Sequence, residues 1–323
     1  MSERIAVVLC NLGGPDSLES VRPFLFNLFS DPDIFRLPLG FLTQRPFAAL
    51  VAWRRAPEAA KGYAAIGGKS PILEFTNAQA AALARSLGDG FDVHVCMRYW
   101  HPLTSEVVAM LKSRNYSRVI LLPLYPQYSV TTSGSAYNEF TRQCQKQHYH
   151  PAVTLVRQWY DQPDYQGAIV EMLRAETQEF PDPDPRRIEL LFSAHGLPRK
   201  IVDQGDPYER QIRATYDALR AQLGWPHATL CYQSRVGPLE WLRPYTDDVI
   251  REKAAAGAKQ IMVYPIAFVS DHVETLFELG ITYAEIARAQ GIAHYRVVPA
   301  LNSHPRFIEA LKSLVRNAVS RHD

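Results

Sequence analysis

The chain has 323 residues, of which 47% are hydrophobic and 21% charged, the composition of an ordinary globular protein with room for two domains. The formal net charge is only +2, and no run of five or more like charges forms a basic stripe. A disordered or fibrous chain is therefore excluded, and nucleic acid is not expected as a partner.

The beginning of the sequence predicts a cytoplasmic protein. Residues 1–4 lead directly into the apolar run Ile5–Cys10, without the long apolar core and small-residue cleavage site of a secretory signal. The longest apolar stretch, residues 24–53, is broken by charges and prolines and is not a membrane span.

The four cysteines predict buried free thiols. They are far apart, form no C-x-x-C pair and so indicate neither a zinc site nor an iron–sulfur cluster: Cys10, Cys96, Cys144 and Cys231.

Eight apolar, β-branched runs alternate with helical patterns and predict parallel strands that are buried on both faces. They are residues 4–10, 92–98, 118–124, 152–156, 188–193, 228–233, 260–267 and 294–298. This alternation predicts an α/β protein with two doubly wound, four-stranded parallel sheets flanked by helices. We expect two Rossmann-like lobes, residues 1–160 and 161–323, with the last helix able to pack back on the first lobe.

An internal repeat supports the two similar lobes. Three pairs of matching residues are 142 positions apart: Pro123 and Pro265, Asn115 and Gly257, and Pro163 and Pro305. Asn115 and Gly257 are each expected to end a helix in the left-handed conformation.

Ligand sites in such folds lie beyond the carboxyl ends of the strands, so the residues that follow each strand are informative. Neither the turn Asn11–Pro15 nor the turn Ser193–Pro198 has the G-x-G-x-x-G pattern, which argues against a dinucleotide. The second turn instead brings His195 to the edge of the sheet. A lone histidine is more often structural, but its position at the carboxyl end of a strand favours a functional role equally.

The segment after the seventh strand carries a group of acids. Asp271, Glu274 and Glu278 are spaced i, i+3 and i+7, so an α-helix capped by Ser270 or Asp271 would align them on one face. The alternative is that these acids only complement the helix dipole. Together with His195 they would give a mixed nitrogen and oxygen set that suits Fe²⁺.

The sequence strings at the strand ends resemble those of the ferrochelatase family, and the likeness covers nearly the whole chain. The strings are LLPLYPQYS followed by TTSGS, FSAHGLP, QSRVGP with a downstream tryptophan, and PIAFVSDHVETLFEL. The resemblance implies two Rossmann-like lobes around a porphyrin cleft. It also implies a lyase that inserts Fe²⁺ into protoporphyrin IX to give protohaem, the terminal step of haem biosynthesis.

The resemblance also implies roles for individual residues. His195 and Glu274 face the metal and are the catalytic pair, with Asp271, His272 and Glu278 as polar residues around them. The residues that would contact the porphyrin are Leu12, Arg54, Arg55, Tyr63, Ser70 of the loop Gly67–Ser70, Arg98, Tyr99 and Trp241.

The chain departs from the family pattern in two places. Glu58 stands where a basic residue is frequent, which puts the propionate contacts near Arg54 and Arg55 in doubt. The C-terminal cysteine cluster of iron–sulfur members is missing, so no cofactor is expected beyond the substrate iron. Leu12 occupies a position where the coproporphyrin branch has a tyrosine, and this favours protoporphyrin as substrate.

Three questions stay open at this stage. Either His195 or Glu274 can be the principal base for the pyrrole protons. Residues 24–53 are either buried helix or a lip that touches a membrane peripherally. The alternative functions are a chelatase for coproporphyrin or cobalt, and a non-catalytic porphyrin- or metal-binding protein. The oligomeric state is not predicted.

Overall fold

The computed structural model describes residues 4–35 and 37–320, without the side chain of Phe41. Arg36 and the Phe41 side chain, which belong to the apolar segment 24–53, lie outside the described residues. The same holds for residues 1–3 of the first predicted lobe and residues 321–323 of the second. The chain divides into two compact units. Unit 1 comprises Met1–Trp159 and Ile308–Asp323, and unit 2 comprises Tyr160–Phe307.

Unit 1 is built around a four-stranded parallel sheet with the order β2-β1-β3-β4. Every residue of the central strand β1 is buried, because helices cover both faces of the sheet. The elements are β1 (Ile5–Asn11), α1 (Val21–Phe29), α2 (Gly40–Ala65), α3 (Ile72–Leu87), β2 (Phe91–Met97), α4 (Thr104–Ser113), β3 (Arg118–Pro123), a π-helical turn (Val130–Gly134), α5 (Ser135–Lys146) and β4 (Ala152–Leu155).

Unit 2 repeats this arrangement with the sheet order β6-β5-β7-β8, again parallel throughout. Its elements are α6 (Pro163–Thr177), a 3-10 turn (Pro185–Arg187), β5 (Glu189–His195), α7 (Arg199–Asp203), α8 (Tyr208–Leu223), β6 (Ala228–Gln233), α9 (Thr246–Ala255), β7 (Gln260–Tyr264), a π-helix (Glu274–Thr282), α10 (Tyr283–Ala289) and β8 (His294–Val297). The last helix, α11 (Pro305–Ser320), belongs to unit 1 from Ile308 onwards.

The structure confirms the predicted α/β fold class and the internal repeat. All eight strands form where the apolar runs predicted them, and the two sheets have the same order. Asn115 and Gly257, 142 positions apart, have φ values of 55° and 93°. The seventh strand is shorter than predicted and ends at Tyr264, directly before Pro265.

The helix that follows the fourth strand of each repeat groups with the other unit. Helix α6 follows β4 in the chain but belongs to unit 2, and α11 follows β8 but belongs to unit 1 from Ile308 onwards. The strands of each repeat stay together in one sheet.

Candidate functional site

His195 is the last residue of β5 and is held there by its backbone. It pairs with Gln233 of β6, and its carbonyl oxygen accepts a hydrogen bond of 2.9 Å from the hydroxyl of Tyr208. The next residue must be glycine. A Cβ on Gly196 would lie 2.7 Å from the Gln233 carbonyl oxygen and 3.1 Å from the Trp241 ring. The chain therefore turns tightly here and leaves the imidazole at the carboxyl edge of the sheet.

Glu274, the first residue of the π-helix, meets His195 at this edge. His195 Nδ1 lies 2.8 Å from Glu274 Oε2. The two side chains are 40% and 21% exposed, so they are partly sheltered but remain open to a ligand. The structure thus brings together the imidazole and the carboxylate that the sequence analysis singled out.

Ser234 links this pair to a second carboxylate. Its Oγ lies 2.9 Å from Glu274 Oε2 and 2.5 Å from Glu278 Oε2, and its backbone N–H donates to Glu278 Oε1 at 2.9 Å. Tyr283 donates to the same Oε1 at 3.0 Å. Ser234 adopts a φ of 64°, which turns it towards both acids directly after β6. The sequence analysis did not select it, although its place just after a strand was the available signal.

The charges of the cluster act on one another. Burial alone would lower the pKa of His195, but the charge and hydrogen bond of Glu274 outweigh it and raise that pKa above its usual value. Burial opposes ionisation of Glu274 as well, yet His195 and His272 hold its pKa well below the usual range. The pKa of Glu278 is raised, first by burial and then by the charge of Glu274.

Aromatic rings and a second histidine border the pair. The Phe268 ring lies 6.2 Å from the His195 ring and 4.5 Å from the His272 ring, both at steep angles. His272 Nδ1 lies 3.1 Å from the Ser270 carbonyl oxygen, and its Nε2 lies 3.7 Å from Glu274 Oε1. The Trp241 ring lies 6.5 Å from His195. The cluster therefore presents an apolar border beside its polar groups.

Asp271 does not join this cluster, and the predicted α-helical line of three acids is wrong. The regular helix begins only after His272, and Glu274–Thr282 is a π-helix with i→i+5 hydrogen bonds, so the α-helical spacing does not apply. The Asp271 carboxylate is instead hydrogen-bonded to Thr275, Ala300 and Asn302.

In unit 1, Arg98 and Tyr99 are engaged in the interior. Asp31, whose side chain is fully buried, accepts a hydrogen bond of 2.6 Å from the Tyr99 hydroxyl and pairs with Arg98 Nη2 at 3.0 Å. Ser135 donates to the same Asp31 oxygen and accepts from Arg98 Nε. Tyr99 is only 1% exposed, so this conformation does not present its side chain to a ligand, in contrast to the role that the resemblance implied.

The other residues of unit 1 implied by the resemblance differ in exposure. Arg54 and Arg55 are exposed on α2, and the Arg55 guanidinium lies 5.8 Å from the centre of the Phe29 ring. Tyr63 and Ser70 are buried, and Leu12 is partly exposed. Of these five residues, the two arginines are the ones classed as exposed.

The donor set at the edge of unit 2 is sparse. In residues 4–35 and 37–320, no group of three or more His, Cys, Asp or Glu side chains is arranged to hold a metal ion. His195 and Glu274 nevertheless offer one nitrogen and one oxygen donor of the kinds that suit Fe²⁺.

The fold is that of the chelatases. The structure is similar to a sirohydrochlorin chelatase from Bacillus subtilis subspecies spizizenii in complex with cobalt, with a TM-score of 0.58, 9% identity and coverage of 98% of this chain and 96% of that one. It is also similar to a multi-domain Deinococcus radiodurans protein with structural similarity to chelatases (TM-score 0.52, 15% identity, 97% of this chain and 55% of that one). At these identities the likeness concerns the fold alone.

Sequence comparison shows the family. The ferrochelatase family profile matches residues 4–319. Curated ferrochelatases from a Picosynechococcus and a Nostoc species are each 46% identical over 325 residues, which cover 98% of this chain and 83% of the relative. A ferrochelatase from a Synechocystis species is 45% identical with the same coverage.

The chain belongs to the ferrochelatase family. It is accordingly an enzyme, a metal chelatase of haem synthesis that inserts iron into protoporphyrin. The family and the activity implied by the sequence strings are thus confirmed.

Proposed function

We propose that His195 and Glu274 are the residues that carry out the insertion of Fe²⁺ into protoporphyrin IX. The observation that carries this assignment is the 2.8 Å contact between His195 Nδ1 and Glu274 Oε2 at the carboxyl edge of the second sheet. Iron and porphyrin are both substrates in this proposal.

The contact suits His195 to the role of base. Insertion of Fe²⁺ releases two pyrrole protons. When His195 is neutral, Nδ1–H donates to Glu274 and Nε2 accepts these protons one at a time, passing each to the solvent to which the side chain is 40% exposed. The Glu274 carboxylate then stabilises the imidazolium, as an acid does for the histidine of a hydrolase triad. Its influence on the pKa of His195 is in the direction that this role requires.

The carboxylates supply the iron side of the reaction. Glu274 and Glu278 share the Ser234 hydroxyl, so both acids lie at one place on the π-helix. A site with so few donors binds a metal loosely, and transfer to the macrocycle needs a metal that can leave.

An anaerobic assay of Fe²⁺ insertion tests the assignment. His195→Ala and Glu274→Gln are each expected to lower kcat by about 100-fold or more, the usual contribution of a positioned acid or base. The control is Asp92→Asn, which alters a surface ion pair with Arg4 at the start of β2 and should leave kcat unchanged. Near-native rates for either site variant would contradict the proposal. Parallel assays with coproporphyrin and with Co²⁺ test the preference for protoporphyrin and iron.

The proposal includes no iron–sulfur cluster. All four cysteines are buried as free thiols in the interiors of the two units. The purified protein should show no cluster absorption in the visible range, and iron and sulfide analysis checks this directly.

We further propose that this enzyme is cytoplasmic and that α2 contacts the inner face of the membrane. Leu42, Leu50 and Trp53 are 56–63% exposed, and Pro46 is exposed between them. At 100° per residue these four side chains fall within an arc of about 80°, so they form a single apolar stripe. Arg54 and Arg55, both exposed, can contact anionic head groups. In the described residues no helix is long and apolar enough to cross a bilayer.

Co-sedimentation with liposomes that contain anionic lipid tests the stripe. Replacing Leu42, Leu50 and Trp53 together by serine should abolish sedimentation, because the buried apolar area supplies most of the binding energy. Tyr137→Ser, which alters a residue 38% exposed on α5, is the matched control and should sediment like the native chain. Unchanged binding of the triple variant would exclude α2 as the contact.

A further inference from the structure

We propose that Asp271 is a positioning residue whose pairing with Asn302 fixes the start of the π-helix, and that it is not part of a route for iron or protons. The inference rests on the proposed function of Glu274 and concerns how that side chain is held. It assigns to Asp271 a role different from the one that its spacing from Glu274 and Glu278 indicated.

The hydrogen bonds of the Asp271 carboxylate are made to residues other than His195 and Glu274. The residue is 5% exposed. Its Oδ1 accepts hydrogen bonds from Thr275 Oγ1 at 2.8 Å and from the Ala300 N–H at 3.2 Å, and its Oδ2 accepts from Asn302 Nδ2 at 2.7 Å. All three donors are neutral groups, and they bind both oxygens of the carboxylate. This pattern is typical of a structural hydrogen-bond acceptor rather than of a group that exchanges protons.

Asp271 and Asn302 are joined twice. Besides the bond to Oδ2, the Asp271 backbone N–H donates to Asn302 Oδ1 at 2.9 Å, and Asn302 N–H donates to the Val269 carbonyl oxygen at 2.9 Å. The segment that leads from β7 to the π-helix is thereby bound to the segment that leads from β8 to α11. Both connections emerge from neighbouring strands of one sheet.

Thr275 passes this restraint into the π-helix. Its hydroxyl donates to Asp271 and accepts from the His272 N–H at 3.0 Å, which closes the turn that contains Glu274. Because Glu274 lies inside that turn, a shift of Asp271 moves the Glu274 carboxylate away from His195. Partners of this indirect kind typically contribute about 10- to 100-fold to metal affinity or activity.

A swap of the two side chains separates positioning from chemistry. In the double variant Asp271→Asn, Asn302→Asp, residue 271 keeps Oδ1 for Thr275 and Ala300, and its new amide donates to the new carboxylate at 302. Each of the hydrogen bonds described above for Asp271 is kept, and only the bond between the two side chains changes direction. Aspartate tolerates the left-handed backbone of position 302, where φ is 45°.

The single variants each break the pair. Asp271→Asn sets two amide groups against each other, and Asn302→Asp sets two carboxylates side by side. We expect each to lower kcat for Fe²⁺ insertion about 10- to 100-fold with little change in the KM for protoporphyrin. The double variant should recover most of the native kcat. Asp92→Asn is again the control, since it exchanges a carboxylate for an amide at the start of β2, in the sheet of unit 1.

A double variant as slow as Asp271→Asn would overturn the inference, because the carboxylate at position 271 would then be needed for itself. Native rates in both single variants would overturn it as well. Amide hydrogen exchange of residues 273–279 is measured in parallel, with faster exchange expected in the single variants and native exchange in the double variant. If the native chain inserts no iron but the exchange pattern holds, the proposed function fails while the positioning role stands.

Discussion

At the scale of single residues, the proposed chemistry depends on the charges that His195, Glu274 and Glu278 exert on one another. His195 and Glu274 stabilise each other's charged forms, so the pKa of the first is raised and that of the second is lowered. Glu278 lies next to an acid that is already ionised, and its own pKa is raised. The cluster therefore holds groups whose pKa values are shifted in opposite directions, as is usual at sites that move protons.

The pH dependence of kcat/KM follows from the His195 pKa. The proposed role of His195 as the base requires a neutral imidazole, so kcat/KM should rise as the pH increases through a pKa above the usual 6.5 of histidine. In Glu274→Gln the charge that favours the imidazolium is gone, so the pKa of His195 falls and the acid limb of the residual activity moves to lower pH. Rate profiles of the two proteins from pH 5 to 9 check this. If the acid limb lies at the same pH in both proteins, the titration of His195 does not cause it.

At the scale of secondary structure, the site is built by two departures from regular geometry. The turn after β5 is so tight that only Gly196 fits, and the helix after β7 is wound as a π-helix. The turn places His195 at the carboxyl edge of the sheet, and the π-helix brings Glu274 and Glu278 into contact with Ser234. π-Helical segments are rare and occur frequently at functional sites.

Gly196→Ala tests the turn. The added Cβ would meet a backbone oxygen at 2.7 Å that cannot rotate away, so the turn has to shift and His195 moves with it. We expect a loss of about 1–3 kcal/mol in the free energy of unfolding together with a lower kcat. Urea unfolding and the iron-insertion assay measure the two effects.

The control for this variant is Gly40→Ala at the start of α2, where the nearest atom to a new Cβ is the flexible Gln44 Oε1 at 3.9 Å. Equal behaviour of the two variants would mean that the close approach at Gly196 does not restrain the turn.

At the scale of the whole molecule, the chain is assembled from a repeated unit whose last helices are exchanged. Within unit 1, α11 is fixed by Glu309, which accepts from Ser86 Oγ at 2.8 Å, and by Arg316, which donates to the Leu87 carbonyl oxygen at 2.7 Å. The Arg316 guanidinium also lies 4.8 Å from the centre of the Phe91 ring. The C-terminal residues thus complete the layer beside β2, the strand at one edge of the sheet of unit 1.

Leu311→Ala should consequently weaken unit 1, although the residue lies near the end of the sequence. Leu311 is fully buried, and such truncations cost about 2–5 kcal/mol. Hydrogen exchange should speed up more in β2 and α3 of unit 1 than in β5 and β6 of unit 2. A larger change in unit 2 would contradict the assignment of α11 to unit 1.

Periodicity and motifs in the chain were enough to predict the sheets, the repeat and the proposed pair of His195 and Glu274. The periodicity of strands and helices reflects which side chains are buried, and this pattern can be recognised within each segment. The predicted bounds of the eight strands therefore differ from the observed ones by only a few residues. The carboxyl edge of a parallel sheet is where ligands bind, so His195 could be selected from its place after β5, and the motif strings named its partner Glu274 and the family.

Only the tertiary structure decided the neighbours of that pair. The α-helical spacing aligned Asp271 with Glu274 and Glu278, but a π-helix has a different repeat, and Asp271 turns to Asn302, a residue 31 positions away. Tyr99 matched a pocket residue by motif, yet the buried carboxylate of Asp31 holds its hydroxyl inside unit 1. Ser234 joined the site through a left-handed backbone that no local pattern predicted. In each case the physical reason is a partner distant in sequence, whose hydrogen bonds outweigh local preference once the sheets have formed.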